Sequence, residues 1–197
     1  MLHKTFRNIS LLALFFLGSL ILNAETLKID KGHSEVGFSI KHLMISNVKG
    51  KFTNYDANIE YDIKTKTFKK FDAFVMVDSI DTGIQKRDDH LRSDDFFDAK
   101  KFPKMTFIMS SYEKEDSTEG YLYGTLTLHG VSKNVKLEVE HNGMIKDFKG
   151  NTKLGFTIEG KINRKDFGLN WNKVLELGGV TVGDKVKIII ELETQVK

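Results

Sequence analysis

The residues best suited to chemistry are a scatter of histidines and one dense run of acids. His33, His42, His90, His129 and His141 stand singly in the chain, and His3 belongs to an N-terminal segment of separate character. None makes the i, i+4 or His-x-His spacing that puts two imidazoles on one metal ion. Asp88, Asp89, Asp94, Asp95 and Asp98 are close enough together to suggest a general acid–base pair. Arg87, Arg92, Lys100 and Lys101 are interleaved with them, so the expected role is to cap, pair and solvate one helix. A nucleophile elbow, a phosphate loop and a zinc-binding helix motif are all missing. The chain has no Cys, which excludes thiol chemistry and a disulfide framework. The expectation is a protein that is not an enzyme, with neither catalytic residues nor a metal centre.

The acidic run lies in the one stretch that reads as helix, residues 84–93. Thr82 followed three residues later by Gln85 reads as a capping box. Asp88 and Arg92 stand one turn apart as a charge pair. Ile84 and Leu91 form an apolar edge too narrow for a core helix. Phe96 and Phe97 follow, and Pro103 ends the segment before the next strand. Such a helix is expected to lie across one end of a sheet, anchored by the paired phenylalanines. Asp30 with Arg164, or Asp88 with Arg87, are candidate ion pairs at a barrel end.

Elsewhere the pattern is alternation with a period of two, the mark of half-buried strands. Glu35 to Lys41 alternates throughout. Met105, Phe107 and Met109 share a face, as do Leu122, Leu126 and Leu128, then Val135, Leu137 and Val139. Leu154, Phe156, Ile158 and Ile162 follow, then Val186, Ile188, Ile190 and Leu192. Tyr55 to Tyr61 adds another strand. Phe71 to Asp78 is ambiguous, and Phe74 and Met76 are assigned inward there. Turn signals such as Asp30-Lys31-Gly32, His129-Gly130, Asn142-Gly143 and Gly178-Gly179 separate these runs at hairpin spacing. The expected fold is mainly β: an antiparallel sheet of about eight strands, closed into a barrel that leaves no exposed edge. A two-sheet sandwich is the alternative.

The chain has 197 residues, 40% of them hydrophobic, and 15 Phe, enough for one well-packed domain. Its formal charge is +3, and Lys4 and Arg7 of the N-terminal segment contribute to it without any acid nearby. So even a balance gives no ground for nucleic-acid binding. That segment has a short basic start, an apolar run from Ile9 to Leu22 and a small residue at Ala24, and reads as a signal peptide cleaved after about residue 24. Its apolar run falls short of the roughly 20 residues needed to span a bilayer. The expectation is an exported, periplasmic protein without stable membrane insertion, with one domain over residues 25–197.

Several segments in order resemble one family. They are Asp30 with His33-Ser34 and Phe38; Lys41-His42-Leu43; Val48 to Phe52; Ser79 to Gly83; Arg87 to Asp98; Lys101 to Phe107; Gly124 to Val131; Ile162 to Leu169; and Gly178 to Asp184. This series is similar to the YceI-like family, secreted lipocalin-like barrels that bind polyisoprenoid and other long-chain lipids. The resemblance implies a lipid carrier with an apolar cavity, holding a polyprenyl phosphate, a quinone or a similar amphiphile, and no other cofactor. The strand phase then nominates the lining: Phe38, Ile40, Phe52, Phe74, Met76, Phe107, Met109, Leu126, Leu128, Phe156 and Ile158, with Trp171 at the mouth. By their chemistry alone these residues suit an adaptable apolar tunnel and a filled core alike. The alternatives are a non-catalytic accessory of quinone, redox or stress metabolism, or a structural barrel without ligand. The expected partner is a long-chain lipid, with a homodimer left open.

Overall fold

The computed structural model describes residues 24–174 and 179–197. The expected signal peptide up to residue 23, and Gly178 of the Gly178-Gly179 turn, lie outside the described residues. The strands are β1 (Glu25–Ile29), β2 (Glu35–His42), β3 (Ser46–Phe52), β4 (Tyr55–Asp62), β5 (Thr67–Met76), β6 (Ile80–Asp81), β7 (Lys104–Lys114), β8 (Glu119–Leu128), β9 (Val131–Lys146), β10 (Thr152–Asn163) and β11 (Val182–Val196). One helix, α1 (Gln85–Arg92), and two 3-10 turns, Val77–Ser79 and Arg164–Phe167, complete the described elements.

Hydrogen bonding runs antiparallel in the order β1-β4-β5-β7-β8-β9-β10-β11 and returns to β1, so eight strands close into a barrel. Closure rules out the sandwich. β11 is 15 residues long and serves two neighbours. Its C-terminal end pairs with β1 through Thr194 to Val196, while Val182 to Glu191 pairs with β2. Between β1 and β2 the chain turns tightly, with the Gly32 amide donating to Asp30 Oδ1 at 3.1 Å. The β2–β3 hairpin and β6 therefore extend the wall at one end only. There the amide of Thr53 donates to Ser79 O at 3.1 Å and that of Met76 to Asn54 O at 2.8 Å, bridging the seam back to β5.

The two halves of the interior are filled differently. In the half bounded by β1 and the β9–β10 hairpin, Tyr61, Phe68, Phe71, Tyr112 and Phe156 pack around His141. Ring centroids lie 4.9 Å apart for Tyr61–Phe68 and 5.0 Å for Phe68–Phe156. Register irregularities bring these rings together. A shift opposite Glu60/Tyr61 lets Phe68 and Phe71 both face inward. Another after Met109 resets the alternation of β7 so that Tyr112 faces His141. Such bulges re-aim side chains at the cost of one unpaired residue. The other half carries smaller inward residues, including Ala57, Ala73, Val75, Val36 and Val48, and stays open.

His141 sits between two phenols, with Nδ1 3.1 Å from Tyr61 Oη and Nε2 2.7 Å from Tyr112 Oη. A neutral imidazole has one N–H, so it donates to one phenol and accepts from the other. Burial, with Lys66 and Lys114 nearby, pushes its pKa from 6.5 down to about 4. The unfolded chain therefore binds a proton between pH 6.5 and 4 that the folded chain refuses, and stability falls as pH falls through that window. Acids take over lower down: hydrogen bonds from Lys153 and His33 hold Asp30 at about 2, so its contribution is lost between 3.8 and 2. The melting temperature should drop between pH 6.5 and 4.5, and His141→Gln should flatten that slope. A wild-type melting temperature that does not change over this range would refute the assignment.

The helix departs from expectation in its details. Its N-cap is Ile84, which makes no side-chain cap, and Gln85 donates to Asp89 Oδ1 at 2.8 Å instead of closing a capping box. Arg92 pairs with Asp89 at 3.0 Å, not with Asp88. Asp88 is buried and accepts from the Thr82 amide at 3.0 Å and from the Thr82 hydroxyl. The reason is local: Asp88 turns toward the chain that enters the helix, where two donors converge, while Asp89 faces solvent within reach of Arg92.

Candidate functional site: the barrel cavity and its mouth

The open half encloses a cavity of about 580 Å³, inside the roughly 300–1,000 Å³ usual for small-molecule sites. Its walls are the inward faces of β2, β3, β4, β5, β7, β8, β9 and β11, with Ile162 of β10. Phe38, Ile40, Phe52, Phe107, Leu126, Leu128 and Trp171 all line it. Phe38 folds over Gly50 of β3, where a Cβ would stand 2.5 Å from the Phe38 ring and 2.7 Å from Thr82 Cγ2. A glycine is required there for the hairpin and the pre-helix chain to approach that closely. Phe52 stacks between Phe38 at 5.9 Å and Phe97 at 6.4 Å.

The remaining nominees sit elsewhere. The β5 register pairs Ala73 with both Ala57 and Phe107, and Val75 with both Tyr55 and Met105. The inward residues of β5 are thus Phe71, Ala73 and Val75. Phe74 borders the cavity only from the outward phase, with the Lys104 ammonium 4.7 Å from its ring centroid. Met76 is absent from the lining and ends β5. Met109, Phe156 and Ile158 point inward but lie deeper, in or against the packed core and not on the cavity wall. Val36, Val48, Ala73, Val75 and Leu137, not nominated from the sequence, do line it. Val36 and Leu137 carry the alternation signal of their strands, yet nothing in it marks their height along the barrel.

One end of the cavity is its mouth, framed by the β2–β3 hairpin, α1 and the loop after Arg164–Phe167. Arg92 ties α1 to the chain beneath it, donating from Nε to Asp78 O at 2.8 Å and from Nη2 to Ile80 O at 2.9 Å. Phe96, buried, packs 5.0 Å from both His90 and Trp171, and His90 Nε2 lies 2.9 Å from Asp95 Oδ2. Phe97 joins a small cluster around Leu128, Phe167 and Leu169. Lys41, His42, Lys86, Arg87, His90 and Arg164 border the cavity, against a single acid, Asp56, among its described lining residues. Arg87 is held by Thr82, donating to Oγ1 at 2.7 Å and to the carbonyl at 2.8 Å. Arg164 belongs to this end, whereas Asp30 belongs to the packed end, where it pairs with Lys153 at 2.9 Å. The expected Asp30–Arg164 and Asp88–Arg87 pairs are therefore not formed. Asp30, His33 and Glu193 bring ligand atoms within 4.8 Å of one another. The Lys153 ammonium already lies 2.9 Å from Asp30 and 2.5 Å from Glu193, placing a cation among them.

A closed antiparallel barrel with one apolar cavity, opening beside a short helix, defines a lipocalin-like cavity protein. Residues 27–194 match the YceI-like domain, and the chain belongs to that family. A UPF0312 protein of Staphylococcus epidermidis is 41% identical over 159 residues, covering 80% of this chain and 90% of the relative. A YceI protein of Campylobacter jejuni, solved by crystallography, is 45% identical with a TM-score of 0.72, covering 86% of this chain and 96% of that one. Two more distant solved structures share the fold. BcnA of Burkholderia cenocepacia is 22% identical with a TM-score of 0.73, covering 84% of this chain and 98% of its own. A polyisoprenoid binding domain from Saccharophagus degradans is 15% identical with a TM-score of 0.58, covering 88% of this chain and 99% of its own.

Proposed function

We propose that this chain is an exported, non-catalytic lipid carrier that holds one long-chain, largely apolar ligand in its barrel. An isoprenoid such as a polyprenyl phosphate or a quinone fits best, and fatty amphiphiles come next. The observation that carries this reading is the apolar cavity of about 580 Å³, open at one end, in an otherwise close-packed barrel. A purely structural barrel would fill that space, because interiors pack to crystal-like density. Burying about 15 methylenes gains roughly 12 kcal/mol, against an association cost of about 4–15 kcal/mol. A preformed cavity keeps that cost toward its lower end. The name of the polyisoprenoid binding domain from Saccharophagus degradans lends support through the shared fold. Cations at the mouth suit an anionic head, as on a polyprenyl phosphate. The N-terminal basic–apolar–Ala24 pattern supports export, to the periplasm in a two-membrane bacterium.

The test is organic extraction of protein freshly purified from the exported fraction, followed by mass spectrometry. One long-chain lipid per barrel is the expected result, on a chain whose N-terminus begins near Glu25. An empty extract, together with no uptake of isoprenoid, quinone or fatty ligand after delipidation, sinks the carrier reading. A retained Met1 sinks export.

A further inference from the structure

Among the described residues, large exposed apolar side chains gather chiefly at the two ends of the barrel. At the mouth they are Leu43, Met44 and Ile45 on the β2–β3 turn, Ile84 before α1, and Val174 on the facing loop, with Ile45 84% exposed. Hydrogen bonds join hairpin and loop: the Leu43 amide donates to Thr181 O at 2.8 Å, and the Thr181 amide to Lys173 O at 2.9 Å. Val174 bridges Val180. Ile84 itself and the neighbouring His42 and Thr181 line the cavity, so these apolar tips ring its entrance. Leu43 and Met44 have φ of 50° and 64°, a left-handed turn that ordinarily takes Asn or Gly. Here strained backbone presents two apolar side chains to solvent, which core packing does not explain.

Lys41, Lys49, Lys86 and Lys173 are exposed on the same segments. Lys41, Lys49 and Lys86 enter no ion pair among the described residues, while Asp89 is paired with Arg92, Asp88 is buried against Thr82, Asp95 lies beside His90, and Asp94 stays exposed. Apolar tips flanked by cations are what an anionic lipid interface binds. A protein partner would need a continuous face of about 800 Å², and separate tips around an opening do not make one. We propose that the mouth docks on the surface of an anionic bilayer. Leu43, Met44, Ile45, Ile84 and Val174 enter the interface and the lysines meet the headgroups, so that ligand passes between bilayer and cavity without crossing water. This rests on the carrier reading. The opposite end also exposes Met144, Ile145 and Phe148 beside Lys146 and Lys149, but the aromatic packing there closes the barrel and leaves no route to the cavity.

The experiment is co-sedimentation with vesicles of phosphatidylglycerol and phosphatidylcholine in equal parts, against phosphatidylcholine alone. Binding to the anionic vesicles is expected, falling with salt. Met44→Ser/Ile45→Ser should lower it at least tenfold, and Lys49→Gln, exposed and off the cavity lining, by roughly fivefold. Phe148→Ser should leave it unchanged. Uptake of a fluorescent polyprenyl probe from detergent should be normal in all of these variants. Absence of binding to anionic vesicles, unchanged binding in Met44→Ser/Ile45→Ser, or loss of binding in Phe148→Ser each overturns the docking. A wild-type protein that sediments yet takes up no probe instead keeps the docking and removes the carrier reading.

Discussion

Ala73→Trp combined with Leu126→Trp is expected to abolish lipid recovery while leaving the barrel folded. Ala73 and Leu126 both pair with Phe107, from opposite sides, and all three line the cavity. Two indoles flanking Phe107 would wall off the chamber at mid-height. Overpacking a filled core costs about 1–3 kcal/mol, but these rings grow into open space, so the melting temperature should move by no more than a few degrees. Lipid recovered per mole of protein should fall more than tenfold. Undiminished recovery in a folded double variant would place the ligand somewhere other than this cavity. As a control, the same enlargement at Ile108, exposed on the outer face of β7, should leave recovery unchanged.

Arg164→Met is expected to be the most destabilising single polar change, at about 3 kcal/mol. The guanidinium is 3% exposed. Its Nε donates to Gly183 O at 2.8 Å, Nη1 to Leu169 O and Nη2 to Val182 O at 3.4 Å. Asp184 Oδ1 lies 3.5 Å from Nη2 and, apart from that ion pair, is buried without a hydrogen-bond partner. Methionine would fill the volume but take the guanidinium from the Gly183 and Leu169 carbonyls and from one carboxylate oxygen, while Val182 O keeps the bond that Asn172 Nδ2 donates at 2.7 Å. Because Asp184 is itself 41% exposed, water relieves part of its cost and the carbonyls dominate. The loss should appear as a lower urea midpoint at unchanged slope. Adding Asp184→Asn should restore only a minor part of it. A loss under about 1 kcal/mol would mean that water replaces the guanidinium at little cost. The same contacts tie the Arg164–Phe167 turn, and hence the loop bearing Trp171, to the start of β11, so the variant should also retain lipid less well.

Local spacing was enough to determine much of this molecule. Alternation in β2, β8, β10 and β11 states which side chains share a face, because the period of a strand is a property of the strand alone. Turn residues at hairpin spacing determined that the sheet is antiparallel, and the helix showed itself by its polar periodicity and the Pro103 that follows. The series from Asp30 to Asp184 was sufficient to point to the family. Where alternation was weak, in β5, Phe74 was assigned to the wrong face: both faces of the stretch from Phe71 to Val77 carry apolar residues, so the strand alone does not say which one turns inward, and a slip of one residue inverts every side chain.

Height along the barrel belonged to the tertiary structure. Phe156, Ile158 and Ile162 obey one inward phase on β10, yet the first two are buried in the packed half and only Ile162 reaches the cavity. Alternation distinguishes inside from outside but not one layer from the next; layers arise from pairing partners 159 residues apart and more, as between Ser34 and Glu193 or Leu27 and Val196. Partner choice among charges was decided in the same way. Asp30 could reach Lys153, and Arg164 the carbonyls of β11, only after closure had put them at opposite ends of the barrel.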